Sequence, residues 1–244
     1  MDGKIYVVGI GPGDMKSMSV KAIDAIKESG VVIGYQTYLD LISGLYQGKT
    51  VVSSGMRKEV ERCHRALEYA ETGKTVSLIS SGDAGVYGMA GLMLEVKSEK
   101  KSNVEVEVIP GISAVFSCAA LLGAPLMNDF AVISLSDLLT DRKDIINRII
   151  CAAKGDFVIA LYNPKSAGRQ TLIRDAKSII MRFRKPETPV GIVAQCERDG
   201  ENTIITTLDK MLENTIDMTT TVIIGNSKTK LIGDKMITPR GYVL

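Results

Sequence analysis

Three times in the first half of this chain an apolar, largely β-branched run passes through a glycine turn into a helical pattern. That recurrence restricts the fold more than any other feature. The first instance is Ile5-Tyr6-Val7-Val8-Gly9-Ile10-Gly11-Pro12-Gly13-Asp14, with apolar residues at helical spacing from about Ser19 onward. The second leads from Thr75-Val76-Ser77-Leu78-Ile79 into Ser80-Ser81-Gly82-Asp83-Ala84-Gly85, then into a helical pattern through Met89, Leu92, Met93 and Val96. The third is Val108-Ile109-Pro110-Gly111-Ile112-Ser113-Ala114. Strand–turn–helix units in series build parallel sheets with crossover helices. Open sheets of that type take their ligands outside the carboxyl ends of the strands. Three glycine-bearing strand ends therefore predict one shared crevice.

The first loop departs from the dinucleotide pattern G-x-G-x-x-G. Asp14 stands where the third glycine is needed for helix–strand packing, Pro12 stiffens the turn, and a carboxylate there repels a pyrophosphate. The loop reads as lining a site without binding phosphate. Asp83 offers an acceptor either to a ligand or, as an Asx turn, to its own backbone. Ser113 either caps the following helix or bonds a ligand.

The rest of the chain continues the alternation. Further strands are expected at 31–35 and 50–52, and in the second half at 131–135, 157–161, 190–196, 203–207 and 221–224. Helices are expected at 58–71, with Val60, Cys63, Leu67 and Ala70 on one face, at 112–122, and at 143–153, 171–183 and 208–214. The segment Gly123-Ala124-Pro125-Leu126-Met127-Asn128 breaks a helix before a new strand, which divides the chain into domains 1–125 and 126–244. The end of the second half reads as strand, turn and strand, favouring antiparallel pairing there. The expected class is α/β in two domains, the second with a mixed sheet.

Charge and cysteine usage remove several functions. A net charge of +2 over 244 residues, with basic and acidic residues interspersed, argues against a nucleic-acid partner. No apolar run is long enough to span a bilayer, and no signal sequence precedes the first strand. Cys63, Cys118, Cys151 and Cys196 lie far apart with no C-x-x-C pair, which predicts neither a metal knuckle nor a disulfide framework. A cytoplasmic protein with free thiols is expected. His64, the only histidine, falls on the edge of an apolar helix face and reads as structural, so no protein-bound metal is expected.

The three glycine loops together resemble the tetrapyrrole (corrin/porphyrin) methylase family. The resemblance runs along nearly the whole chain. Four later segments are similar to one branch of it, the precorrin-3B C(17)-methyltransferases: Asp129-Phe130-Ala131-Val132-Ile133-Ser134-Leu135-Ser136-Asp137-Leu138-Leu139, Gly155-Asp156-Phe157-Val158-Ile159-Ala160-Leu161-Tyr162-Asn163-Pro164, Pro189-Val190-Gly191-Ile192-Val193 and Thr220-Thr221-Val222-Ile223-Ile224-Gly225-Asn226-Ser227. The chain departs from the branch at four places: Ala84 for a proline, Asn128 for a histidine, Thr140-Asp141-Arg142 for Thr-Pro-Trp, and Ala194-Gln195-Cys196-Glu197 for Arg-Asn-Ala-Gly.

The resemblance implies a class III methyltransferase fold whose two α/β domains hold cofactor and substrate in the cleft between them. It implies S-adenosylmethionine (SAM) as methyl donor, S-adenosylhomocysteine as product, and methylation at carbon 17 of a precorrin-3B or cobalt-factor III macrocycle with ring contraction. Homodimerisation follows from the family. By position in its motifs, SAM is expected against Pro12, Gly82, Asp83, Val86, Ser113, Ala114, Tyr162 and Cys196. Methyl transfer is an in-line displacement governed by positioning and exclusion of water, so no dedicated nucleophile is required.

The tetrapyrrole carboxylates would be met by Arg57, Lys58, Lys165, Arg169 and Arg198, since guanidinium forks bind carboxylates bidentately. Ring contraction needs proton transfer, for which Asp14, Asp129 and Asp137 are the candidates. The alternatives are another methylase of the family with a different ring carbon or acceptor, a nucleotide-dependent oxidoreductase, or a non-catalytic tetrapyrrole carrier. The oxidoreductase would bind its nucleotide at the first loop, where Pro12 and Asp14 stand against it.

Overall fold

The computed structural model describes residues 3–165 and 171–243. The chain divides into two compact units, Met1–Ala114 and Val115–Leu244.

The first unit carries five strands, β1 (Lys4–Gly9), β2 (Val31–Tyr35), β3 (Thr50–Ser54), β4 (Thr75–Ser80) and β5 (Glu105–Ile109), in the order β3-β2-β4-β1-β5. Every pairing is parallel, as expected from the strand–turn–helix recurrence. Alternation along β1 supplies both faces of the sheet. Ile5 and Val7 enter one core with Val76, Leu78 and Ile33, while Tyr6 and Val8 enter the other with Val32, Ile79 and Ile109. Each such buried aliphatic side chain contributes about 1.5–3 kcal/mol.

Helix α1 (Val20–Glu28) covers the Tyr6 and Val8 face through Ala22, Ala25 and Ile26. Its first turn is capped by Ser19, whose Oγ accepts the Ala22 amide at 3.1 Å. A short helix α2 (Gln36–Asp40), absent from the sequence pattern, follows β2. Helices α3 (Glu59–Glu71) and α4 (Ala90–Glu99) cover the opposite face. On α3 the buried stripe is Cys63, Ala66, Leu67 and Ala70, and Val60 remains 53% exposed although its spacing put it on the apolar face. That position is in the first turn, before the helix meets the sheet.

At the amino end of this sheet lies an ion-pair network. Lys4 Nζ pairs with Glu105 at 2.9 Å and Glu107 at 2.7 Å, and Lys21 pairs with Glu107 at 2.6 Å. Lys21 and Lys4 hold the Glu107 carboxyl down to about 2, and the two glutamates raise Lys4 above its ordinary value.

The second unit opens with α5 (Ala114–Leu122), which begins at the last residue of the first. Then come β6 (Gly123–Ala124), β7 (Phe130–Ser134), α6 (Arg142–Lys154), β8 (Val158–Tyr162), α7 (Leu172–Ile180), β9 (Pro189–Ala194), β10 (Asn202–Thr207), β11 (Thr220–Ile224), β12 (Lys230–Ile232) and β13 (Lys235–Ile237). The main sheet has the order β10-β9-β11-β8-β7, parallel only between β7 and β8. Residues expected as a helix over 208–214 form only a 3-10 turn, Met211–Glu213. Helix α6, capped by Asp141 through the Lys143 amide at 2.9 Å, packs with α7 on the face bearing Ile133, Ile159, Ile192 and Val222.

Helix α5 was expected to close the first domain, with the boundary at 125. It falls instead with the second unit, because its contacts lie there. Leu122 packs directly over Gly191 of β9, so closely that a Cβ on that glycine would stand 2.9 Å from Leu122 Cγ. Gly123 and Ala124 pair in parallel with Met236 and Ile237 of β13. Among the described residues no helix is long and apolar enough to cross a membrane.

Candidate cofactor site

Strands β4, β1 and β5 are adjacent, so the three glycine loops leave the sheet side by side. The chain from β1 crosses over one face through α1 and the chain from β4 crosses over the other through α4. Oppositely directed crossovers at neighbouring strands leave the crevice that parallel sheets use for ligands.

The loops interlock through their backbones. Ile10 N donates to Ser80 O at 3.0 Å, Gly11 N to Gly82 O at 3.1 Å, and Gly82 N to Gly11 O at 2.8 Å. Contact this close requires glycine. A Cβ on Gly9 would stand 2.7 Å from Gly111 N and 2.8 Å from Gly82 O, and one on Gly111 would stand 2.6 Å from Gly9 O. Asp83 completes the lock: its Oδ1 accepts the Gly85 amide at 2.8 Å and its Oδ2 accepts the Gly111 amide at 3.0 Å. The Asx turn and the link between loops are thus one carboxylate.

The outer side of this assembly is open. A Cβ on Gly82 would meet nothing nearer than 3.8 Å, and the backbone there is left-handed (φ 63°). Val86 and Tyr87 project beside it, 39% and 60% exposed, Tyr87 with φ 53°. Backbone N–H and C=O groups flanked by exposed apolar side chains fit a ligand that combines polar groups with an apolar surface. Pro12 and Ser113 are buried under the loops and Ala114 is partly so.

Other candidates are distributed as follows. Asp14 is exposed and caps a 3-10 turn, accepting the Lys16 amide at 2.9 Å. Arg57 and Lys58 follow β3, the edge strand, at the same end of the sheet but separated from β1 by two strands. Arg57 is exposed with φ 62°, and Lys58 pairs with Glu61 at 3.1 Å.

In the second unit β9 is antiparallel to β11, and β11 to β8, so β7, β8 and β9 all end at one edge. That edge gathers Asp137, Tyr162, Lys165, Cys196 and Arg198. Tyr162 O accepts the Leu135 amide at 2.8 Å, and Asn163 Nδ2 donates to Ser134 Oγ at 3.0 Å. The Tyr162 hydroxyl accepts the Val115 amide at 2.6 Å, fixing the start of α5. Arg169 lies outside the described residues.

Asp129 does not join this group. It precedes β7, its carbonyl accepts the Val158 amide at 3.0 Å, and the whole length of β7 separates it from Asp137.

Three non-glycine residues at this edge are left-handed: Asn163 (φ 50°), Gln195 (φ 51°) and Glu197 (φ 56°). Such conformations cost about 1–2 kcal/mol each and concentrate at functional sites. Only Asn163 was open to discovery from sequence, asparagine being tolerant of that region. Glu197 Oε2 is buried and accepts no hydrogen bond, while its amide donates to Glu201 Oε2 at 2.7 Å.

Cys196 is buried between the strained pair, and Cys118 is buried on α5. Hydrogen bonds from Cys196 and then Thr221 lower the Cys118 thiol despite its burial. Cys196 is raised by the same partner and by burial. His64 is half-buried on α3, and no cluster of three or more His, Cys, Asp or Glu able to hold a metal occurs among the described residues.

Comparison with known proteins bears on the family and the fold. The family model described as Tetrapyrrole (Corrin/Porphyrin) Methylases matches residues 4–212. The chain is 52% identical over 246 residues to the cobalt-factor III methyltransferase of Priestia megaterium, covering 99% of this chain and 46% of that protein. It is 48% identical over 240 residues to the probable cobalt-factor III C(17)-methyltransferase of Salmonella typhimurium, covering 98% of this chain and 100% of the relative. The crystal structure of the methyltransferase CobJ superposes with a TM-score of 0.92 at 31% identity, over 97% of this chain and 100% of that one.

Proposed function

This chain belongs to the tetrapyrrole (corrin/porphyrin) methylase family, and from that premise we propose that it methylates carbon 17 of a cobalt-factor III macrocycle, using SAM, with contraction of the ring. The observation that carries the reading is the interlocked triad of loops at Gly9–Gly11, Gly82–Asp83 and Gly111, open on the side of Val86 and Tyr87. The names of the two relatives favour the cobalt-bearing substrate over metal-free precorrin-3B.

When bound, SAM supplies an electrophilic methyl on a sulfonium, with a neutral thioether as leaving group. The chain's own work is then positional. Gly82 and the loop beyond it present backbone groups to the amino-acid end, with Pro12, Ser113 and Ala114 as the supporting floor. Asp83 acts by holding two loops in register. Val86 excludes water beside the sulfonium, which strengthens every polar contact there. Tyr162 and Cys196 are assigned to the same cofactor, Tyr162 also anchoring α5.

Lys165 and Arg198 are assigned to the macrocycle's carboxylates, with Arg57, Lys58 and Arg169 as further partners. Asp137, at the carboxyl edge of β7, is the preferred proton carrier for ring contraction, and Asp14 the second choice. The proposal extends to a cytoplasmic homodimer, tested by sedimentation.

The deciding experiment is anaerobic incubation with cobalt-factor III and SAM, following product mass and visible spectrum. One added methyl with a contracted-ring spectrum is expected. Methylation without contraction would move the chain to another branch of the family. Failure to bind SAM would end the cofactor assignment.

A further inference from the structure

The buried stripe of α3 consists of small and apolar side chains with one exception, Arg62, which is 5% exposed. A buried guanidinium is costly unless acceptors meet its donors. An apolar side chain would cover the sheet without that cost, so the acceptors of Arg62 define what it contributes. Its Nη1 donates to Ser54 Oγ at 2.8 Å and to the Gly55 carbonyl at 3.0 Å. Its Nη2 donates to Glu59 Oε1 at 3.1 Å. Nε is buried with no acceptor among the described residues. Both terminal nitrogens are thus turned to the segment that joins β3 to the first turn of α3.

That segment needs an anchor. β3 is an edge strand, and its pairing with β2 ends at Ser54. The next residues, Gly55, Met56, Arg57 and Lys58, are all exposed. Lys58 stands at the N-cap of α3 and makes no side-chain cap, where Ser, Thr, Asp or Asn would close the turn by itself. The Arg62 amide donates to the Lys58 carbonyl at 3.0 Å. Arg62 therefore grips Ser54 and Gly55 at one end of the loop, Lys58 and Glu59 at the other, and leaves Met56 and Arg57 at the tip. The charges divide in the same way. Arg62 is paired with Glu59 and Lys58 with Glu61, each at 3.1 Å. Arg57, left-handed at φ 62°, has no acidic partner among the described residues.

We infer that Arg62 is a positioning residue: it clamps both ends of this loop, so that the unpaired guanidinium of Arg57 is presented in one place to a carboxylate of the substrate. The step to the substrate rests on the assignment of Arg57 to the macrocycle, and the clamp itself does not. A guanidinium on a loose loop gives up backbone and side-chain freedom when it binds a carboxylate, whereas on a clamped loop much of that freedom is already gone. The clamp therefore acts on substrate affinity and leaves the methyl-transfer step alone. Ser54 is half-buried and Gly55 exposed, so water reaches both acceptors once the guanidinium is removed. Loss of Arg62 should then loosen the loop without unfolding the unit.

The test compares the whole wild-type protein with R62M, R57A and R57A/R62M in three measurements: limited trypsin digestion mapped by mass, S-adenosylhomocysteine affinity by calorimetry, and initial rates with cobalt-factor III and SAM. R62M should be cut after Arg57 and Lys58 at least tenfold faster than wild type, with the same Kd for S-adenosylhomocysteine. The KM for cobalt-factor III should rise about tenfold in R57A and about fivefold in R62M, at unchanged kcat. The double variant should be no worse than R57A, because Arg62 acts through Arg57. If R62M does not fold, R62K takes its place: it keeps the buried charge, but one ammonium cannot reproduce the fork, and digestion and KM should both rise about threefold. Unchanged digestion in the folded variant overturns the clamp. A raised KM in R57A alone, or losses that multiply in the double variant, overturns the positioning role. Unchanged KM in R57A as well overturns the assignment of Arg57 to the macrocycle. If wild type itself turns over no cobalt-factor III, the reading of the substrate fails, while the digestion still decides the clamp.

Discussion

The carboxylate of Asp83 reaches from the loop after β4 to the amide of Gly111 after β5, at 3.0 Å, while its other oxygen closes its own turn on Gly85 at 2.8 Å. One side chain therefore sets the spacing of two loops that we assign to the cofactor. Hydrogen bonds to a charged group are worth about 1.5–3 kcal/mol. D83A should weaken S-adenosylhomocysteine binding by about ten- to a hundredfold in calorimetry, with D83N between it and wild type. An unchanged Kd in D83A would detach these loops from the cofactor.

Two glycine substitutions should act with opposite sign. G111A drives a methyl into the carbonyls of Gly9 and Gly82 and should cost about 3 kcal/mol in denaturant unfolding. Gly91 is on the exposed side of α4 with nothing within 4 Å of an added Cβ. G91A should stabilise by about 0.5–1 kcal/mol, because glycine is a poor helix former.

The two aspartates bracketing β7 should separate in kinetics. D137N should lower kcat by about a hundredfold, within the range for loss of a general acid or base. D129N, altered at the far end of the strand, should stay within about twofold of wild type. Equal losses would contradict the edge assignment.

The Glu107 network predicts an acid-limited contribution to stability. Its carboxyl titrates near 2 when folded, below the ordinary 4.5, because Lys21 and Lys4 hold it charged. The stabilisation is thus present above about pH 4.5 and lost as pH falls toward 2. Thermal melts of wild type and E107Q should differ at pH 6 and converge near pH 2. A constant difference across that range would rule out the linkage.

Arg184, buried after α7, donates to Ala153 O at 2.8 Å and Phe157 O at 3.3 Å, and pairs with Asp156 at 3.0 Å. R184L leaves those acceptors without their donor. A loss of about 3–5 kcal/mol is expected in denaturant unfolding. A loss below 1 kcal/mol would mean that water replaces the guanidinium.

The first sheet was legible because β-branched runs and glycine turns are local signals, and three in a row allow few arrangements. The same loops hold most of the residues that we assign to the cofactor, so that proposal too starts from local signals. What escaped depends on partners distant in sequence. Gly123 and Pro125 look like a linker until Leu122 is placed over Gly191. The left-handed turns at Gln195 and Glu197 leave no mark, since neither residue is a turn former. The separation of Asp129 from Asp137 was within reach: a strand lies between them, and an extended chain rises about 3.3 Å per residue.

The pairing of Gly123 and Ala124 with Met236 and Ile237 also orders events during synthesis. The first unit has all its strands once β5 leaves the ribosome, and can close while translation continues. The second cannot: its opening residues wait, with the apolar side of α5 uncovered, until β9 and then β13 arrive. Slow translation or premature termination in that interval should leave a folded first half trailing an aggregation-prone helix.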